Sequence, residues 1–279
     1  MSSVCHSPEC GKSAQAAVAG SADPGAVRAP FVWRFGEVSS TLDVAFLLSG
    51  RGRLKIWDSV QAVSQTSGRG QLRRSWVSPP GNIYAALRLP VQPPFDGTAA
   101  APAMGLLLAC ALRAEGWPVL LKWPNDLVLC LPGGPRKLAG ILLEERGGVL
   151  LAGIGVNVNS APPDDALRVD AAMPAASLAD GPDRPAPLAE SLWQRLVKHV
   201  HSAYNNGHSL SDRWKTRTEE LLLWRGRDVE LVEGQRRVRG RLEGLTPAGG
   251  LRLLCNSRCE EWLSGSLRLS EKIGRASCR

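Results

Sequence analysis

Between residues 119 and 158 three short apolar runs, Val119 to Lys122, Leu127 to Leu131 and Leu138 to Leu143, are followed by a fourth, Val149 to Val158. Pro, Asn and Gly separate them, so they fit strands of one sheet joined by turns. That block constrains the rest of the chain. A sheet with apolar residues must be covered, and the segments on either side supply helices to cover it.

Upstream, order is expected to begin at Phe31-Val32-Trp33. Thr41 to Leu48 has apolar residues near helical spacing, with Ser39 or Ser40 placed to cap it. Val60 to Val63 and Asn82 to Leu89 read as strands, the second bounded by Pro79-Pro80-Gly81 and Pro90. Ala99 to Ala114 is rich in Ala and Leu and predicts a buried helix. Leu188 to Tyr204 predicts an amphipathic helix ending near Asn205-Asn206-Gly207. The fold class is therefore α+β, a mixed sheet flanked by helices.

From about Trp224 short alternating segments appear (DVELV, RRVRGRLEGL, GLRLLC, EEWLSGSLRL) with Gly at the joints. They predict a small all-β unit, a barrel of about five strands. The domain layout that follows is a tail at 1–30 expected to be disordered, a main domain at 31–222, and a β domain at 223–270. Residues 271–279 break the pattern, read as translated adapter sequence, and are taken as an artefact.

The 279 residues carry 44% hydrophobic residues, enough for a sizeable core, and no apolar run approaches the ~20 residues that span a bilayer. The first twenty residues lack the basic-then-apolar layout of a secretory signal, so a cytoplasmic location is expected. The seven cysteines form no regular framework and are expected to stay reduced. Cys5, His6 and Cys10 lack a second ligand pair and read as incidental. The net charge of +8 favours anionic partners, among them ATP, acidic proteins and nucleic acid, without choosing among them.

Four segments concentrate residues suited to chemistry. Gln65 to Trp76 (QTSGRGQLRRSW) puts Gly68 and Gly70, which permit close backbone approach to an anion, beside Arg69, Arg73 and Arg74, whose forked donors suit phosphate or carboxylate. On composition alone a solvated basic loop explains it equally well. In Lys122-Trp-Pro-Asn-Asp126, a carboxylate just before an apolar strand can accept a urea or amide N–H or help place magnesium; an Asn-Asp turn is the plainer reading. Arg136 to Glu144 (RKLAGILLE) sets Lys137 at a strand entry, where it can neutralise charge on a transferring nucleotidyl group or simply snorkel. Gly153 to Asn159 (GIGVNVN) allows close packing, with Asn157 able to hydrogen-bond a ligand.

Together, Ser40-Thr41, QTSGRGQ, KWPNDLVL, KLAGILLE and GIGVNVN resemble, in order and spacing, the catalytic core of the biotin protein ligases. The resemblance runs from about Phe31 to Leu269, and its most specific part is KWPND followed eleven residues later by KLAGIL. The C-terminal unit resembles that family's SH3-like domain. The resemblance implies an AMP-forming ligase whose substrates are biotin and ATP, with Mg2+, acting on a lysine of a biotin carboxyl carrier protein. It implies a biotin pocket of Ser40, Thr41, Gln65, Gly68, Arg69, Gly70, Gln71 and Lys137. It implies an adenylate side of Arg74, Trp76, Asn125, Asp126 and Asn157. Lys137, Arg69 and Asp126 would be catalytic, and any magnesium would lie near Asp126 and Asn157.

Two positions depart from the family pattern: Leu42 stands where Asn is usual, and Gln71 removes a cation from the loop, so weaker retention of the intermediate is expected. The family's repressors carry an N-terminal winged helix of about 60 residues. The roughly 30 residues ahead of the core here show no helical pattern, so DNA binding is not expected. A homodimer is compatible with the sequence. A lipoate-type ligase shares the fold, but KWPND belongs to the biotin branch. A basic nucleic-acid module is disfavoured because the nine tryptophans are scattered rather than interleaved with Lys and Arg.

Overall fold

The structure, a computed structural model, describes residues 28–71, 74–164, 173–181, 185–205 and 210–270. Cys5, Cys10, Arg73, most of the expected tail and the segment 271–279 lie outside the described residues.

Seven strands form one mixed sheet: β1 (Val32–Val38), β2 (Ser59–Gln65), β3 (Ile83–Leu89), β4 (Val119–Lys122), β5 (Asp126–Leu131), β6 (Gly134–Arg146) and β7 (Val149–Val156). Their spatial order is β1-β2-β3-β7-β6-β5-β4, with β1 and β2 parallel and every other pair antiparallel. The strand β6 is longer than its apolar run. Gly147 and Gly148 both have positive φ (54° and 73°), so a tight hairpin turn carries pairing out through Glu144, Glu145 and Arg146. Those polar residues at the strand ends give no hydrophobic signal.

The helices α2 (Ala100–Ala114) and α3 (Ala189–Asn205) cover one face of this sheet, packing with Ile83, Ala85, Leu87, Ile141 and Ile154 in the main core. Contrary to the expectation that no run approaches spanning length, the 18 residues Gly97–Ala114 are apolar enough to pass for a membrane span, yet 67% of the stretch is buried inside the fold, which marks a core helix. On the opposite face lies one short helix, α1 (Thr41–Gly50), whose Leu42, Ala45 and Leu48 pack with Val60, Ala86 and Leu151. That helix reaches β2, β3 and β7 and leaves the β5–β6 side of its face without a helix.

A fourth helix, α4 (Leu210–Glu220), was not expected from the sequence. Its buried residues include Trp214, Thr218 and Glu219, so two of the three are polar and no apolar stripe advertises it. The Glu219 carboxylate accepts hydrogen bonds from the Leu245 backbone N–H and the Lys215 ammonium, both at 2.8 Å. It thereby ties α4 to the C-terminal unit.

That unit is a five-stranded antiparallel sheet of β8 (Asp228–Glu233), β9 (Arg236–Leu245), β10 (Leu251–Cys255), β11 (Arg258–Trp262) and β12 (Ser266–Leu269), in the order β11-β10-β9-β8-β12. The turn before β10 docks on the main sheet: the Trp123 indole N–H donates to Gly249 O at 2.9 Å.

Asn82 ties the end of β7 to the start of β3. Its Oδ1 accepts from the backbone N–H groups of Val158, Asn159 and Ser160, and its Nδ2 donates to Ser160 O. Only 5% of the residue is exposed, so Asn82→Ala would strand the buried Val158 N–H and free the Asn159–Ser160 turn. A loss of about 2 kcal/mol is expected in denaturant unfolding, and a change indistinguishable from zero would contradict the role assigned to this side chain.

Candidate active site

A cavity of about 890 Å³ opens on the face of the main sheet that α1 leaves uncovered. It is lined by Ser40, Thr41 and Gln65, by the loop residues Arg69, Gly70, Gln71, Arg74 and Trp76, and by Asn125, Asp126 and Lys137. The C-terminal sheet closes one side with Gly234, Arg237 and Ser264.

Its floor is set by two glycines. Gly140 on β6 and Gly155 on β7 are direct register partners. A Cβ at Gly155 would come within 2.5 Å of the Trp76 ring, and one at Gly140 within 2.9 Å. Trp76 therefore lies flat on a patch of bare backbone, its indole N–H without a hydrogen-bond partner among the described residues. One residue pair along, a Cβ at Gly153 would meet Leu42 at 2.9 Å. The glycines of GIG thus serve two side chains, Gly153 clearing Leu42 and Gly155 clearing Trp76.

The two described arms of the Gln65–Trp76 loop, residues 65–71 and 74–76, meet as a narrow hairpin. Gly70 N donates to Arg74 O at 2.7 Å and Trp76 N to Gly68 O at 2.9 Å. Gly68 does not line the cavity; a Cβ there would sit 2.5 Å from Trp76 O, so its glycine lets the two arms close. The Gln65 side chain forms a polar relay at the loop's base. Its Oε1 accepts from Thr41 N (2.8 Å) and Thr41 Oγ1 (3.0 Å), and its Nε2 donates to Ser78 Oγ (3.1 Å). Ser40 is the N-cap of α1 without a side-chain capping bond; Gln65 takes the first N–H of the helix in its place.

The ionic centre is Asp126. Lys137 Nζ stands 2.7 Å from Asp126 Oδ1, and Lys122 Nζ 4.0 Å from Oδ2. The sequence reading passed over Lys122 as a site residue, since a lysine ending the run Val119-Leu-Leu-Lys122 looks like any strand terminus. It lines the cavity and is only 7% exposed. Burial holds its ammonium below the usual lysine range, Asp126 opposes that shift, and Lys137 and Arg74 reinforce it. An ammonium kept out of water with one distant counter-ion creates a positive field suited to anionic oxygens. Lys137 Nζ also lies 5.4 Å from the Trp76 ring centroid, within cation–π range.

Besides Gly68, three expected site residues have their polar groups engaged by the protein itself. Asn157 does not line the cavity. It is buried, its Nδ2 donates to Ala176 O (3.1 Å), and Ala176 N donates to Lys137 O, so it braces the strand segment beside Lys137. Arg69 lines the cavity, but its guanidinium is taken by Asp43 (2.8 and 2.9 Å) and lies 3.5 Å from Glu144. Asn125 lines the cavity with its amide N–H committed to Ile141 O at 2.7 Å. Among the described residues no cluster of three or more His, Cys, Asp or Glu side chains gathers to hold a metal. Asp126 fits the sparser pattern in which magnesium uses one carboxylate and substrate phosphates.

Gly155→Ala is expected to lift Trp76 off the sheet and cost about 1–3 kcal/mol, as overpacking does. Pairing it with Trp76→Leu should recover part of the loss, because the two sites touch. Strictly additive losses would contradict the contact.

The comparisons with known proteins point to one family. Residues 50–160 match the model of the Biotin/lipoate A/B protein ligase family. The bifunctional ligase/repressor BirA of Escherichia coli is 30% identical over 240 residues, covering 81% of this chain and 71% of that one. The biotin–[acetyl-CoA-carboxylase] ligase of Paracoccus denitrificans is 37% identical over 127 residues, 41% of this chain and 50% of its own. The biotin protein ligase of Aquifex aeolicus, solved in complex with biotin and ATP, superposes with a TM-score of 0.70 at 25% identity over 88% of this chain and all of that one. Sequence identity sustained over more than two thirds of a known ligase, with the same mixed sheet beneath it, shows that the chain belongs to the biotin protein ligase family and is a biotin ligase.

Proposed function

We propose that the enzyme condenses biotin with ATP and passes biotin from the resulting adenylate to a lysine of a biotin carboxyl carrier protein. A carboxylate oxygen of biotin attacks the α-phosphorus of ATP, and the bond to the β-phosphate oxygen breaks, releasing pyrophosphate. The acceptor amine then attacks the acyl carbon of the mixed anhydride, AMP leaves, and the amine loses a proton as the amide forms. The observation that carries this reading is the Asp126–Lys137 pair with buried Lys122 beside it, roofed by the loop over a flat floor.

Roles follow from where each group stands. The Ser40, Thr41 and Gln65 cluster offers neutral donors and acceptors for a cyclic urea. Lys137 would meet the biotin carboxylate and the charge building at the α-phosphate. Lys122 and Arg74 would face the departing pyrophosphate, because a multiply anionic leaving group rewards a desolvated ammonium most. Asp126 holds Lys137 in place, and magnesium arriving with ATP would find its protein oxygen there. Gln71 and Gly70 roof the cavity where the anhydride must be shielded from water.

The solved Aquifex complex with biotin and ATP supports the substrates, and the name of the Paracoccus relative supports a carboxylase as acceptor. The test combines the enzyme with labelled biotin, ATP and a carboxyl-carrier domain. Biotin-dependent pyrophosphate release with label on the carrier is expected; incorporation of lipoate in place of biotin would overturn the reading. Lys122→Met sharpens it. Pyrophosphate release should fall by a factor on the order of 10²–10³, while relief of the buried charge raises stability by about 1 kcal/mol. An unchanged rate would remove Lys122 from the proposed chemistry.

A further inference from the structure

On the cavity face of the main sheet the residues stand in rows across the strands. Ala86 on β3, Gly153 on β7 and Leu142 on β6 are successive register partners; Tyr84, Gly155 and Gly140 form the next row. Trp76 covers the second row, and Leu42 covers the first. A Cβ on Gly153 would meet the two Leu42 methyl carbons at 2.9 and 3.4 Å. Leu42 packs in the apolar cluster of Ala45, Leu48 and Val60 and is only 3% exposed, yet it lines the cavity. Leu142, partly buried against the same cluster, lines it too.

On either side of this apolar row the cavity is polar. Ser40, Thr41 and Gln65 stand on the β2 side, and Lys137 with Asp126 on the β6–β5 side. The strand order β2-β3-β7-β6 puts three steps between Gln65 and Lys137, roughly 14 Å at the usual strand spacing. Biotin has the same polar, apolar, polar sequence: a cyclic urea, a thioether ring fused to it, and a methylene chain ending in a carboxylate. With the urea at the first cluster and the carboxylate at Lys137, the thioether ring crosses β3 and β7, where Leu42 lies.

We infer that Leu42, seated on Gly153, is a specificity-determining residue: it presents an apolar wall to the sulfur ring and selects a thioether there over ring-oxidised biotin. The inference rests on the proposed placement of the urea and the carboxylate, and deepens it by assigning the contact of the ring between them. A thioether sulfur is a weak acceptor, so an apolar wall costs it little. Sulfone oxygens accept strongly; pressed against leucine methyls, they lose water without gaining a donor. Gly153 fixes where the wall stands. With bare backbone beneath them, the Leu42 methyls settle on the sheet, whereas a Cβ would raise them into the space the ring takes.

The test is equilibrium binding of labelled biotin to the full chain, with displacement by unlabelled biotin and by biotin sulfone. The unaltered chain should bind the sulfone about ten- to hundred-fold more weakly than biotin. Leu42→Asn, whose amide can donate to the sulfone, should narrow that ratio by about five-fold or more, while Leu42→Met, apolar and of similar volume, should keep it. A merely structural role for Leu42 would weaken both ligands together and leave the ratio of their dissociation constants unmoved. Gly153→Ala gives a second reading should Leu42→Asn fold poorly: biotin affinity should fall by about five-fold or more, and Leu42→Val in that background should recover part of the loss. Equal affinity of the unaltered chain for the two ligands, a ratio unmoved by Leu42→Asn, or full biotin affinity in Gly153→Ala would overturn the assignment. Lys137→Met tests the underlying placement separately: biotin binding that survives it undiminished would remove the carboxylate from Lys137, and the position of the ring with it.

Discussion

A seven-stranded sheet spans about 29 Å between its edge strands at ~4.8 Å per step, and a ten-residue helix is about 15 Å long and 10 Å wide. The α1 helix therefore covers only part of its face, and the site is what occupies the remainder. Where a second helix would bury apolar side chains, this chain places Gly140 and Gly155 side by side and lowers Trp76 onto them from a loop. The candidate cavity is the space under that improvised cover. Its position follows from the sheet, and its accessibility follows from covering the sheet with a hairpin rather than a helix.

The charges divide the same way. On the α1 side, Arg69 is matched by Asp43 and Glu144, and the network is partly exposed, so it sets geometry more than stability. On the β5 side, among the described residues Asp126 alone answers Lys137 and Lys122, and Lys122 is almost fully withdrawn from water. Holding an ammonium there costs folding free energy, which is why burial lowers its proton affinity. Because that affinity is lower in the folded chain than in the unfolded one, the cost is largest at pH below the folded value. It is relieved as pH rises towards the ordinary lysine range. A fold does not keep such a group for stability; nucleotidyl chemistry gives a reason to keep it.

The sequence made the elements with strong apolar periodicity legible: α1, α2, α3 and the strands β2 to β7 sit close to where their patterns put them. The polar extension of β6 and all of α4 were illegible because their buried groups, Thr218 and Glu219 among them, carry no hydrophobic signal. The motifs located Asp126, Lys137, Gln65 and the loop. They gave no sign that Asn157 turns to Ala176 or that Arg69, while lining the cavity, pairs with Asp43 and Glu144, because those partners are distant along the chain and only the fold brings them near. Lys122 was hidden as well: a lysine closing an apolar run gives no sign that the fold leaves it only 7% exposed beside the cavity.

Amide hydrogen exchange on the whole chain, with and without biotin plus ATP, tests the location of the chemistry most directly. Substrates held under the hairpin should slow exchange at residues 65–71, 122–126 and 137–141 while leaving β1 and β11 unchanged. Protection confined to β1 or to the outer strands of the C-terminal sheet, with those segments unaffected, would place the reaction elsewhere on the molecule.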